Sequence, residues 1–193
     1  MSTVVYVFAD WEAFDEPILV GTLRSSVIKN KEHFSFSYDN DWLQSPYAQK
    51  IDPDLNLYSG AQHSENSKNF RTFLDSCPDR WGRLLMKRRE AIIARKEDRR
   101  PNLLYEIDYL LGVHDLYRLG ALRFKREMNG AFLDNDEKLA APPISSLRDL
   151  EYAAQQVEDN HNTDDAEYLK WLTMLMSPGS SLGGARPKAS VVD

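Results

Sequence analysis

Three short segments near the N-terminus leave this chain little freedom in how it begins to fold. Val4-Val5-Tyr6-Val7-Phe8-Ala9 is β-branched and aromatic almost throughout, the make-up of a buried strand. Ile18-Leu19-Val20-Gly21-Thr22-Leu23 predicts a second strand, with Asp15-Glu16-Pro17 as turn material before it. From His33 to Tyr38 the pattern alternates: Phe34, Phe36 and Tyr38 fall on one side, Ser35 and Ser37 on the other. That period of two belongs to a half-buried strand. Together the three segments predict a small antiparallel sheet.

The remainder reads mainly as helices and connections. Asp39-Asn40-Asp41 is a polar turn before Trp42 and Leu43, and 44–69, with Pro46, Pro53 and Gly60, is extended loop in which Asp52 to Leu57 can hold a short edge strand. Ser76-Cys77-Pro78-Asp79 has the form of a helix start, Ser76 capping and Asp79 reaching back. The helix runs to about Lys96 with Trp81, Leu84, Leu85 and Ile92 on one face. Between 80 and 100, nine Lys and Arg face three acids; such a run can meet DNA phosphates or an acidic partner, but a solvated face is the reading put first. Leu103 to Leu111 predicts a short helix ended by Gly112, and 115–124 leads through a turn into a strand. Met128-Asn129-Gly130 turns into Ala131-Phe132-Leu133, and Pro142-Pro143 marks a boundary. Ser146 then caps a helix carrying Leu147, Leu150, Ala154 and Val157, and Asp164 opens a last one with Tyr168, Leu172 and Leu175 on one face and Trp171 nearby. The expected fold class is α+β, a small antiparallel sheet subdomain with packed helices.

A length of 193 residues suffices for a sizeable core, and the net charge of −6 lacks the overall footprint of a protein that coats nucleic acid. A single cysteine, Cys77, rules out an internal disulfide and suits a reducing compartment. The longest early apolar run, Val4 to Ala9, cannot span a bilayer, and no signal-peptide pattern opens the chain, so a cytoplasmic, membrane-free protein is expected. His33, His63, His114 and His161 have no companions at metal-ligand spacing, and no Gly-x-Ser-x-Gly supports a hydrolase triad. Metal: none is expected.

The chemistry-bearing stretch is Ser177-Pro178-Gly179-Ser180-Ser181-Leu182-Gly183-Gly184-Ala185-Arg186-Pro187-Lys188-Ala189-Ser190. Glycines let successive amide N–H groups converge on an anion. Gly179 and Gly184 have the separation of a Walker loop, but Ala185 stands where the lysine belongs. No Gly-x-Gly-x-x-Gly occurs. On composition alone a flexible Gly/Ser linker and a phosphate cradle are evenly matched.

Ser181-Leu182-Gly183-Gly184-Ala185-Arg186-Pro187-Lys188 resembles the glycine-rich loop of the HipA-like serine/threonine kinases, toxins of bacterial toxin-antitoxin systems: serine, any residue, small, Gly, small, two residues, lysine. Three upstream stretches agree in order: Val20 to Leu23 with Phe34 to Asp39 and Trp42-Leu43; Pro78-Asp79-Arg80-Trp81-Gly82-Arg83; and Gly112-Val113-His114-Asp115 through Leu119 to Phe124. The resemblance implies an N-terminal subdomain over 1–125 and, over 126–193, a helical connection with the loop that opens a kinase domain. It implies that Ser181, Leu182, Gly183, Gly184, Ala185 and Lys188 line the ATP phosphates, with Mg2+ also required, and that Ser181, with Ser180 beside it, is the autophosphorylation candidate. Only five residues follow Lys188, so the catalytic aspartate and magnesium ligands are expected outside this chain, which would be the truncated front end of such a kinase. The implied partners are a helix-turn-helix antitoxin, DNA only indirectly through that antitoxin, and a protein substrate such as an aminoacyl-tRNA synthetase. The alternative is a non-catalytic interaction module that docks on and restrains a kinase or antitoxin.

Overall fold

The computed structural model describes residues 2–65, 68–115, 118–133 and 147–158, together with Tyr168, Trp171, Leu172 and Leu175. In chain order the elements are β1 (Ser2–Ala9), β2 (Ile18–Ile28), β3 (Lys31–Tyr38), α1 (Asn40–Gln44), β4 (Gln62–His63), α2 (Arg71–Asp75), α3 (Arg80–Lys96), α4 (Glu106–Leu111), β5 (Leu122–Lys125) and α5 (Leu147–Glu158). The protein is mixed α+β, built on a five-stranded antiparallel sheet of order β4-β3-β2-β1-β5.

The sheet follows from alternation. Val5 faces Leu23 and Leu23 faces Phe36 across the ladder, all on the face that turns inward. Phe34, Tyr38 and, from β5, Phe124 continue that face. The β2–β3 connection is a two-residue hairpin in which Lys29 and Asn30 both take positive φ, 49° and 60°. Such a turn matches the right-handed twist of its strands, and asparagine tolerates it.

Two apolar clusters result. The first joins the sheet to Trp42, Leu55, Phe70, Phe73, Ile107, Leu110 and Leu111. The second is helical: Trp81, Leu85 and Ile92 of α3 pack with Leu150, Ala153 and Val157 of α5 and with Trp171, Leu172 and Leu175. Met86 of α3 sits so close to Gly112 that a Cβ there would collide with it. One helix therefore serves both bodies.

Several local expectations are corrected. The 39–41 turn opens a helix: Asp39 caps α1 by accepting from the Asp41 amide at 2.9 Å. The edge strand is not within 52–57 but is β4, placed by Gln62, whose amide exchanges hydrogen bonds with Asn56 backbone at 2.7 and 2.8 Å. The cap of α3 is Asp79, accepting from Gly82 N at 3.0 Å. Ser76 instead closes α2, an unexpected helix, by donating to Thr72 O at 3.1 Å. The expected 103–111 helix starts at Glu106. Leu84 is 37% exposed, off the buried face of α3. Ser146 and Asp164, expected as helix starts, lie outside the described residues.

Gly21 is the tightest point of the sheet. A Cβ there would overlap Ser37 O, lie 2.6 Å from Phe36 Cζ and 3.0 Å from Tyr38 Cα. Backbone cannot move aside without parting β2 from β3. Gly21→Ala is expected to destabilise by about 3 kcal/mol or more, the upper end of overpacking costs, measured by denaturant unfolding; an unchanged midpoint would contradict this packing.

Candidate functional site

Ser180, Ser181, Leu182, Gly183, Gly184, Ala185 and Lys188 lie outside the described residues. What is described is the base that precedes them. Trp171, Leu172 and Leu175 are helical and buried at 6%, 0% and 1% exposure. Arg88 of α3 ties this base down, donating to Val157 O and, at 2.9 Å, to the Tyr168 hydroxyl. Tyr152 and Tyr168 rings meet Trp171 edge-on at 5.8 and 6.3 Å.

The upstream stretches that carry the resemblance have structural employment. Val20 to Leu23 is the centre of β2 with its close approach at Gly21. In Pro78 to Arg83, Asp79 is a cap, Trp81 is core, and Arg83 makes a two-pronged ion pair with Glu106 at 2.6 and 2.7 Å while stacking over Tyr109 at 4.5 Å. Leu122 to Phe124 is β5, and His114 and Asp115 are buried.

Two of the buried charged groups, Glu32 and Arg118, belong to no motif in the sequence. Glu32 lies on the inward face of β3, 7% exposed. Its carboxylate accepts from Ser25 Oγ at 2.5 Å and from the first amides of α4, Glu106 N at 2.8 Å and Ile107 N at 3.3 Å. Burial outweighs these bonds and raises its pKa. The signal existed: Glu32 falls one period of two before Phe34. Arg118 is 8% exposed, its guanidinium donating to Ser76 O (3.1 Å), Leu110 O (2.8 Å), Val113 O (2.8 Å) and Leu133 O (3.1 Å) and lying 4.6 Å over Phe124. Carbonyl partners leave no mark in a sequence.

Beside it, Arg123 donates to Asp115 and, at 3.1 Å, to Asp10, on the wall of a cleft of about 280 Å³ that Arg118 and Gly120 also line. These acids already hold a guanidinium, which is poor preparation for proton transfer. A larger polar hollow of about 570 Å³ mixes Asp54, Glu65, His63, Lys68 and Arg71 without a nucleophile–base pair among the hydrogen bonds of the described residues. Cys77 is buried, donates to Phe73 O at 3.2 Å, and burial pushes its thiol up to about 12, so it is no nucleophile at neutral pH. Among the described residues no group of three His, Cys, Asp or Glu could hold a metal ion, and no helix is long and apolar enough to cross a membrane.

Comparison with protein-family models, with curated proteins and with solved structures finds no match.

Arg118→Lys keeps the charge but loses the planar fork, leaving carbonyls unmatched. A loss of about 2–4 kcal/mol is expected from the buried bonds forfeited, read from denaturant midpoints; a loss below the error of the measurement would deny the guanidinium its role. For Glu32 the sign follows from the raised pKa: the native state holds this proton to higher pH than the unfolded chain does. Its contribution to stability is therefore fullest below about 4.5 and declines as pH climbs through the raised native value. The stability of wild type relative to Glu32→Gln is expected to fall across that window and level off above it; a rise would reverse the assignment.

Proposed function

We propose that this chain is the N-terminal part of a HipA-like protein serine/threonine kinase toxin, a cytoplasmic protein whose loop at 181–188 covers the phosphates of ATP. The observation that carries the reading is the run Ser181-Leu182-Gly183-Gly184-Ala185-Arg186-Pro187-Lys188, preceded in order by three further agreeing stretches. In this reading the catalytic aspartate and the residues that hold Mg2+ belong to polypeptide outside these 193 residues, and the segment after 126 opens the kinase lobe. Phosphoryl transfer depends chiefly on positioning and charge neutralisation, so a loop of backbone N–H groups closed by a lysine has a defined task in it. The packed base at Trp171, Leu172 and Leu175 supports the reading, because a cradle needs a fixed point of departure.

The same reading gives Ser181 a regulatory role, with Ser180 beside it as the second candidate. A phosphate there adds about −1.5 to −2 charge, which opposes the ATP phosphates the loop covers. A helix-turn-helix antitoxin, with DNA reached only through it, and a substrate such as an aminoacyl-tRNA synthetase complete the proposal.

The test uses the protein expressed with whatever coding sequence its gene places after codon 193. Incubated with Mg-ATP, it should acquire phosphate at Ser181, located by mass spectrometry, and Lys188→Ala should abolish this. Ser181→Asp should weaken ATP binding by about tenfold, the size of repulsion between like charges a few ångströms apart. No phosphate at Ser180 or Ser181, together with undiminished ATP affinity in the Asp variant, would sink the kinase reading.

A further inference from the structure

The loop between β1 and β2 carries an aromatic ladder from the core to the surface. Trp42 is fully buried; Trp11 meets it edge-on at 5.4 Å, stacks on Phe14 at 5.1 Å, and Phe14 meets Tyr47 edge-on at 4.8 Å. Trp11 and Phe14 are half-buried, and Tyr47 is 44% exposed. Phe14 N donates to Trp11 O at 2.9 Å, so the loop is closed on itself and its rings are held in place. The same loop carries Glu12, Asp15 and Glu16, all exposed, and none has an ion pair among the described residues.

Elsewhere this chain uses its rings to hold its own cations. Arg83 lies over Tyr109, Arg118 over Phe124, Arg123 over Phe132, and Lys125 over Phe8. No described cation lies over Trp11, Phe14 or Tyr47. The basic residues are concentrated at 80–100, so the rest of the chain is more acidic than the net −6 indicates. An aromatic cluster at the edge of the core, in a loop that also carries three exposed carboxylates, is complementary to a planar cation.

We propose that this surface, Trp11, Phe14 and Tyr47 with Glu12, Asp15 and Glu16, docks an arginine-rich segment of a partner protein. Guanidinium groups lie on the ring faces, and the carboxylates accept their N–H groups two at a time. Arginine is favoured over lysine because the ammonium is more strongly hydrated and offers no planar face to a ring. Aromatic anchors within a polar rim are also the usual make-up of an interface centre. The inference is independent of any kinase role.

The test is fluorescence anisotropy with labelled octa-arginine, octa-lysine and octa-glutamate peptides. Octa-arginine is expected to bind about fivefold more tightly than octa-lysine, the value of one exposed ring–guanidinium contact. Tyr47→Ala and the double variant Glu12→Gln/Glu16→Gln should each weaken octa-arginine by about fivefold, while Asp75→Asn/Glu127→Gln, of equal charge change, should leave it within about twofold. Thermal melts check that each variant folds; if Tyr47→Ala does not, the double variant, which alters only exposed carboxylates, decides alone. Equal binding of the two cationic peptides with equal loss in the control variant would reduce the effect to bulk charge and overturn the proposal. So would preference for octa-glutamate, or self-association of the protein that the same variants abolish, since the occupant would then be a second copy.

Discussion

α4 is six residues long, too short to persist on its own, yet it supplies Ile107, Leu110 and Leu111 to the main core. What holds it is a buried charge at each end. The Glu32 carboxylate accepts from its first amides, and the Arg118 guanidinium collects the carbonyls of Leu110 and Val113 at its other end. These are the groups a helix leaves unpaired, and the signs agree with its dipole, anion at the N-terminus and cation at the C-terminus. Burying such groups is costly, and the hydrogen bonds each makes here offset part of that cost. Glu32 comes from β3 and Arg118 from the turn before β5, so both ends of the helix are held by groups from the sheet body.

The same logic orders the layer outside. Glu106, the first residue of α4, pairs with Arg83 and so aligns α3 against the sheet body, while the opposite side of α3 closes the helical cluster with α5. Arg99, just past α3, gathers Glu90 and Glu97 at 2.6 Å each, and Glu90 also accepts from Asn102 N. The cations of the basic stretch are thus unequal: some fasten the chain as it leaves the helix, and others, such as Arg80 and Lys87, stand exposed.

The strands were legible because a period of two is written directly in the residues: Phe34, Phe36 and Tyr38 face inward as their spacing requires. The extent of α3 was legible for the same reason at the helical period. What escaped was fixed at a distance. The five-residue α2 depends on Asp52, twenty positions earlier, whose buried carboxylate accepts from Thr72 N and Asp54 N at 2.9 Å each. The two-residue β4 depends on the reciprocal bonds of Gln62 with Asn56. Neither pairing follows any local period. Ser76 and Asp79 are both good capping types three residues apart, and their division of labour is decided by where α2 ends. The glycine and serine enrichment at 177–190 is compositional, and that segment lies outside the described residues.

Residues 176–193 lie outside the described residues, and what is described before them is a packed helical base. The last described residue is Leu175, 1% exposed, and Tyr168 accepts from the Arg88 guanidinium at 2.9 Å. Arg88 belongs to the same helix whose start is capped by Asp79 and whose Arg83 is locked to α4. The described helical residues around Trp171 are therefore tied, through α3, to the sheet body. Because α3 gives Trp81, Leu85 and Ile92 to the helical cluster and pairs Arg83 with Glu106 of α4, the helical cluster and the sheet body are joined through one helix.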